Sequence, residues 1–142
     1  MKTFLPKISE FNSKWFLIDA AGKTPGSVAV EAARRLTGKH RADFTPHLDL
    51  GDGVIIINAA KIEFTGRKLT NKVYRTHSGY RGHLKEISAK EMLKKNPVKV
   101  IKLAVKGMLP KNKLCDLRLN RLKIFTEAQH SHSAQKPEII VI

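Results

Sequence analysis

Gly22-Lys23-Thr24 stands between an apolar run and a proline-led helical pattern, where a phosphate-binding loop would set a lysine and a hydroxyl against a nucleotide. That chemistry needs a glycine five residues before Gly22, so that backbone N–H groups can wrap a phosphate, and the position holds Leu17 inside the apolar run. An ordinary strand-to-helix turn is expected instead. Gly51-Asp52-Gly53 is no dinucleotide fingerprint, because position 56 is Ile and a strand pattern follows rather than a helix. Six histidines, His40, His47, His77, His83, His130 and His132, raise the question of metal ligation. Only His130 and His132 have a spacing that shares a strand face, no carboxylate cluster adjoins them in sequence, and Cys115 is the sole cysteine. No metal, cofactor or small-molecule substrate is expected. Acidic residues are few and scattered, 12 in 142, so no catalytic triad or acid/base pair is nominated and the chain is not expected to be an enzyme.

The cations are a different matter. From Lys61 to Lys123 there are 18 Lys and Arg against four acids, Glu63, Glu86, Glu91 and Asp116, so nearly all of the formal charge of +15 sits in that stretch. A charge excess confined to one stretch points to a polyanion, because each Lys or Arg that neutralises a phosphate releases condensed counterions. Within the stretch Arg67, Lys68, Lys72, Arg75, Arg81 and Lys85 alternate with Tyr74, His77, Ser78 and Tyr80. Cations reach phosphates, Tyr and His stack on bases or reach 2′-hydroxyls, and Gly79 and Gly82 allow close backbone approach. Further along, Arg118, Arg121 and Lys123 complete the candidate nucleic-acid contacts read from charge. RNA is favoured over DNA because no helix-turn-helix, zinc-finger or basic-zipper pattern appears.

The elements that must position these residues read as an α/β fold. At 142 residues and 42% hydrophobic composition the chain suits one domain with a real core, and one cysteine fits a reducing, cytoplasmic setting. No stretch reaches the ~20 apolar residues of a membrane helix, so no membrane association is expected. Residues 1–13 read as an arm laid on the domain, 14–126 as the core with a basic loop at about 65–85, and 127–142 as a tail. Trp15 to Ile18 is a continuous apolar run, the pattern of a strand buried on both faces. Thr24 is an N-cap and Pro25 the first residue of a helix to Thr37, closed by Gly38. Val54 to Asn58 is a second buried strand, so strand, helix, strand gives a βαβ core with a mainly parallel central sheet flanked by helices and a right-handed crossover.

Residues 65–84 are expected to form an extended basic loop or hairpin. Ser88 and Glu91 mark a capping box that opens a short helix to Lys95, and Pro97 begins the next helix. On it Val98, Ile101, Ala104, Val105 and Met108 are expected to face the core, with Lys99, Lys102 and Lys106 opposite. A short helix over 114–122 would carry Arg118 and Arg121 on one side, Leu122 to Phe125 would be a final strand, and apolar Ile139 to Ile142 would dock on the domain or fray.

With these residues placed, the run Val105-Lys106-Gly107-Met108-Leu109-Pro110-Lys111 resembles the signature of the large-subunit ribosomal protein L-thirteen family of bacterial type. Trp15 to Lys23, Ala32 to His40, Thr45-Pro46-His47, Gly51-Asp52, Asn58-Ala59, Thr65-Gly66, Lys72-Val73-Tyr74, His77-Ser78-Gly79 and His130 to Gln135 agree in order and spacing, so the resemblance covers essentially the whole chain. It implies a structural, non-catalytic constituent of the cytoplasmic large ribosomal subunit that binds 23S-type rRNA early in assembly beside neighbouring ribosomal proteins. It also implies rRNA contacts at the Lys106 to Lys111 signature, at Lys39 and His40, along His77 to Arg81, and at His130 and His132. Two departures stand out: Pro25-Gly26-Ser27 where the family commonly has Leu-Gly-Arg, and a glycine-free Asn112 to Asp116 where it has a glycine-rich connection. The alternative of another class is a free regulatory RNA-binding protein acting on mRNA as a translational repressor.

Overall fold

The computed structural model describes residues 5–7 and 11–142. The part of the expected N-terminal arm over 1–4 and 8–10 lies outside them; Phe11 lies beneath the Arg41 guanidinium, 4.6 Å from carbon to ring centroid. Four parallel strands build the central sheet in the order β5 (Leu122–Ile124), β2 (Gly53–Ile57), β1 (Trp15–Asp19), β6 (Glu138–Ile140). Strand β1 (Trp15–Asp19) and β2 (Gly53–Ile57) form its centre, with Phe16 opposite Val54 and Ile18 opposite Ile56. Phe16, Leu17, Ile18, Val54, Ile55 and Ile56 are all buried, which is why both strands read as unbroken apolar runs rather than as alternating ones.

Helix α1 (Pro25–Thr37) connects them. The Thr24 hydroxyl accepts from the Ser27 N–H at 3.2 Å, and Gly38 at φ 81° ends the helix with its N–H on the Arg35 carbonyl. Val28, Ala29, Ala32 and Leu36 are fully buried on one side of α1, against Ile18, Val54 and Ile56.

After β2 come α2 (Lys68–Asn71), a two-stranded antiparallel hairpin of β3 (Val73–His77) and β4 (Leu84–Ser88), and three helices, α3 (Ala89–Lys95), α4 (Pro97–Met108) and α5 (Leu114–Asn120). The Ser88 hydroxyl caps α3 by accepting from the Glu91 N–H at 3.3 Å. Helix α4 lies across α1, and α3 touches both α4 and the hairpin, so these elements form one continuous layer. The apolar stripe of α4 is turned from the expected one: Val100, Ile101 and Val105 are buried, whereas Val98 is half-buried and Met108 is 43% exposed. Contact with α1 selects the 100/101/105 side, and periodicity alone did not resolve two apolar stripes so close in phase.

Strand β5 (Leu122–Ile124) pairs with β2, and it is not the last strand. Residues 125–137 lead to β6 (Glu138–Ile140), which pairs with β1 on the far edge, so the apolar end of the chain docks as the fourth strand. The Lys23 ammonium donates to the Ile142 carbonyl just beyond it. Trp15 holds the connection to the sheet. Its ring lies over Gly53, where a Cβ would come within 2.5 Å, and stacks on His132 at 5.8 Å.

Candidate nucleic-acid interface

Whether a cation can meet a phosphate depends first on whether the fold has already given it a carboxylate. Of the 18 Lys and Arg between Lys61 and Lys123, three have a carboxylate within 4.0 Å: Arg75, Arg118 and Arg121. The other 15 have none among the described residues. Elsewhere the balance reverses: Lys14 meets Glu138, Arg35 meets Glu31, and Arg41 meets Asp43 and Asp52. The exposed, unneutralised charge therefore lies along the layer of hairpin, α3 and α4.

The hairpin carries the densest part. Arg67, Lys68, Lys72, Arg75, His77, Ser78, Tyr80, Arg81 and Lys85 are all exposed. Residues 68–71, expected as loop, close one short helical turn, α2, that sets Lys68 and Lys72 at the foot of the ribbon. Tyr74 is half-buried, which pushes its phenol above the ordinary value, and its ring lies 5.3 Å from the Lys72 ammonium. The tip is a defined turn rather than a loose loop. The Gly79 N–H donates to His77 Nδ1 at 2.9 Å, the His83 N–H donates to the Tyr80 carbonyl at 3.2 Å, and Gly79 and Gly82 take φ of 89° and 74°. That turn holds Tyr80 at the summit, 72% exposed, with His83 edge-on to it at 5.2 Å.

On α4, Lys99, Lys102 and Lys106 are exposed along one side, and Lys111 and Lys113 continue beyond its end. Of these only Lys106 and Lys111 were among the candidates read from the sequence. Lys99 and Lys102 join them, and the i, i+3, i+7 spacing with Lys106 was the signal that could have found them. On α3, Lys90, Lys94 and Lys95 are also exposed and unneutralised, interleaved with core residues in a helix too short for periodicity to separate them.

Several expected contacts have internal duties instead. Arg118 is 2% exposed with its Nε 3.6 Å from Asp49, and Arg121 binds the same carboxylate and donates to the Gly51 carbonyl at 2.7 Å. Arg118, expected as a solvent-facing cation, is buried, and with the half-buried Arg121 it ties the α5 region to the loop before β2. His40 is similar. Its Nε2 lies 2.8 Å from Oδ2 of the fully buried Asp52, while Asp52 Oδ1 accepts from the Lys14 N–H at 2.9 Å. Lys39, next to it, is exposed. His130 and His132 are half-buried beside Phe125, and His132 also stacks on Trp15. Lys123 is half-buried on β5.

Gly22-Lys23-Thr24 forms a tight turn in which the Lys23 N–H donates to the Ala20 carbonyl and Thr24 caps α1. Beside it, Asp19 accepts from the Ala21 N–H and from Asn58, and these bonds, with Lys61 and Lys23 nearby, hold its carboxyl below the ordinary value. Among the described residues no group of three or more His, Cys, Asp or Glu is placed to hold a metal ion, and no helix is long and apolar enough to cross a membrane.

A parallel α/β core that ties Asp49 and Asp52 into internal clasps and leaves a layer of cations without carboxylate partners among the described residues defines the class: a polyanion-binding α/β protein. The chain belongs to the ribosomal protein L13 family, whose family model, described as "Ribosomal protein L13", matches residues 13–131. It is 51% identical over 140 residues to the large ribosomal subunit protein uL13 of Clostridioides difficile (strain 630), covering 99% of this chain and 98% of that one. It is 46% identical over 142 residues to the uL13 proteins of Aeromonas salmonicida (strain A449) and of Aeromonas hydrophila subsp. hydrophila, covering all of each chain. The family is one of structural, non-enzymatic proteins.

Proposed function

We propose that this protein is a structural constituent of the bacterial cytoplasmic large ribosomal subunit, that it binds 23S-type rRNA through the layer formed by the hairpin, α3 and α4, and that it joins the particle early in assembly. One observation carries the reading: 15 cations of one stretch without a carboxylate among the described residues, most of them on or beside the hairpin, α3 and α4, which touch one another. Their mutual repulsion in the free protein is relieved when phosphates are brought among them, and the counterions released drive association. The full-length kinship with proteins named as large ribosomal subunit components supports rRNA as the polyanion.

The contacts assigned to this surface are Arg67, Lys68, Lys72, His77, Ser78, Tyr80, Arg81, Lys85, Lys106 and Lys111, joined by Lys99 and Lys102, with Lys39 just past the end of α1 and with Arg75 once a phosphate displaces Glu86. The exposed Tyr80 supplies a ring on which a base can stack, and the cations supply phosphate contacts. Binding of transcribed large-subunit rRNA measured across a salt series tests the assignment. Lys99→Ala, Lys102→Ala and Arg81→Ala are each expected to weaken binding and to lower the salt slope by about one. A slope that none of them changes would mean that RNA lies on another face.

A further inference from the structure

Between the outer sides of α1 and α4 lies an open groove of about 270 Å³ that brings residues 30–39 together with 108–110. Its floor is apolar and unusually accessible, with Val30 57% and Met108 43% exposed beside Pro110. Its rim is cationic: Lys39 has no carboxylate partner among the described residues, and Arg34 is 58% exposed with its nearest acid, Glu31, 4.0 Å away. In the chain, Lys106 and Lys111 flank Met108 and Pro110.

An apolar floor inside a positive rim fits a ligand that offers a flat, weakly hydrated face and an anionic group a few ångströms apart. A nucleotide turned out of its helix has both, whereas a paired nucleotide hides the base face and presents only phosphate. We propose that this groove is a socket for one unstacked RNA nucleotide, its base against Val30 and Met108 and its phosphates at Arg34 and Lys39. The proposal rests on the RNA-binding reading above and adds to it a preference for bulged RNA that charge neutralisation does not provide.

Two short RNA duplexes distinguish the possibilities, one fully paired and one with a single bulged 2-aminopurine, titrated against the full-length protein and its variants. The wild type should bind the bulged duplex roughly fivefold to tenfold more tightly, about the gain from covering the exposed parts of two such side chains, with a change in 2-aminopurine fluorescence. The double variant Val30→Ser with Met108→Ser should lose that preference and the fluorescence change while keeping its affinity for the paired duplex and its salt slope, since no charge is removed. Met108→Leu should retain the preference. A wild type that binds both duplexes equally would overturn the socket and leave the RNA-binding reading standing. Binding to neither would overturn both. Equal loss on both duplexes in the double variant would assign Val30 and Met108 a structural duty, and loss of a co-purifying protein with the bulge preference intact would assign the groove to a protein partner.

Discussion

Arg118 carries a full charge into a site 2% exposed to water, and Asp49 is the carboxylate beside it. Removing one partner of a buried pair leaves an uncompensated charge in a poorly solvated place. Asp49→Ala is therefore expected to destabilise the fold by about 3 kcal/mol, read as a lower denaturant midpoint with an unchanged slope. The loop that holds Asp49 is also sterically fixed, because a Cβ on Gly51 would lie 1.7 Å from the Leu36 carbonyl oxygen. Gly51→Ala is expected to cost more than about 3 kcal/mol, and a soluble variant of near wild-type stability would show that the loop can move. Asp19 and Asp43 set the acid response. The Ala21 N–H and Asn58 hold the first carboxyl below its ordinary value, and Arg41 holds the second. A carboxyl with a lowered folded-state pKa stabilises the fold above the unfolded-state value, near pH ~3.9, and that stability is lost as pH falls through the folded value. Asp19→Asn should lower stability at neutral pH and flatten the acid limb of the curve of stability against pH; an acid limb as steep as the wild type's would contradict this account.

Elements separate the two kinds of cation. Thr24→Ala is expected to cost about 1 kcal/mol by freeing the Ser27 N–H at the start of α1, without changing RNA binding, whereas Tyr80→Ala at the hairpin tip should do the reverse. The tip variant should weaken binding by roughly tenfold, the size of one lost base stack, and leave the salt slope alone. The caps and strands were legible in the sequence because they depend on near neighbours: Thr24-Pro25, Gly38, Ser88 and the apolar runs of β1 and β2 state their local structure directly. The pairing of β6 with β1 was not legible, since three residues joined to a partner more than a hundred positions away carry no local period. Nor was the internal role of Arg118, Arg121 and His40. Residue type alone offers each of them to a phosphate, and only the three-dimensional approach of Asp49 and Asp52 gives it an internal partner. At the candidate interface the run of exposed hairpin cations was readable from composition, but the groove joining Val30 to Met108 exists only once α4 crosses α1.

Taken as a whole, the molecule divides its charge by layer. Ion pairs gather around the Asp49 to Asp52 loop and the later turns of α1, while cations without partners among the described residues occupy α3, α4 and, apart from Arg75 with Glu86, the hairpin. A surface of this kind neutralises a backbone over many contacts at once, and many contacts acting together resist salt better than one or two. The most direct test of the central claim is sedimentation of cell lysate through gradients at moderate and high salt, with the protein followed by mass spectrometry. The expected result is co-migration with large subunits that survives the high-salt wash. A protein found mostly free, or stripped at modest salt, would contradict an integral place in the subunit and would favour a peripheral or regulatory RNA binder.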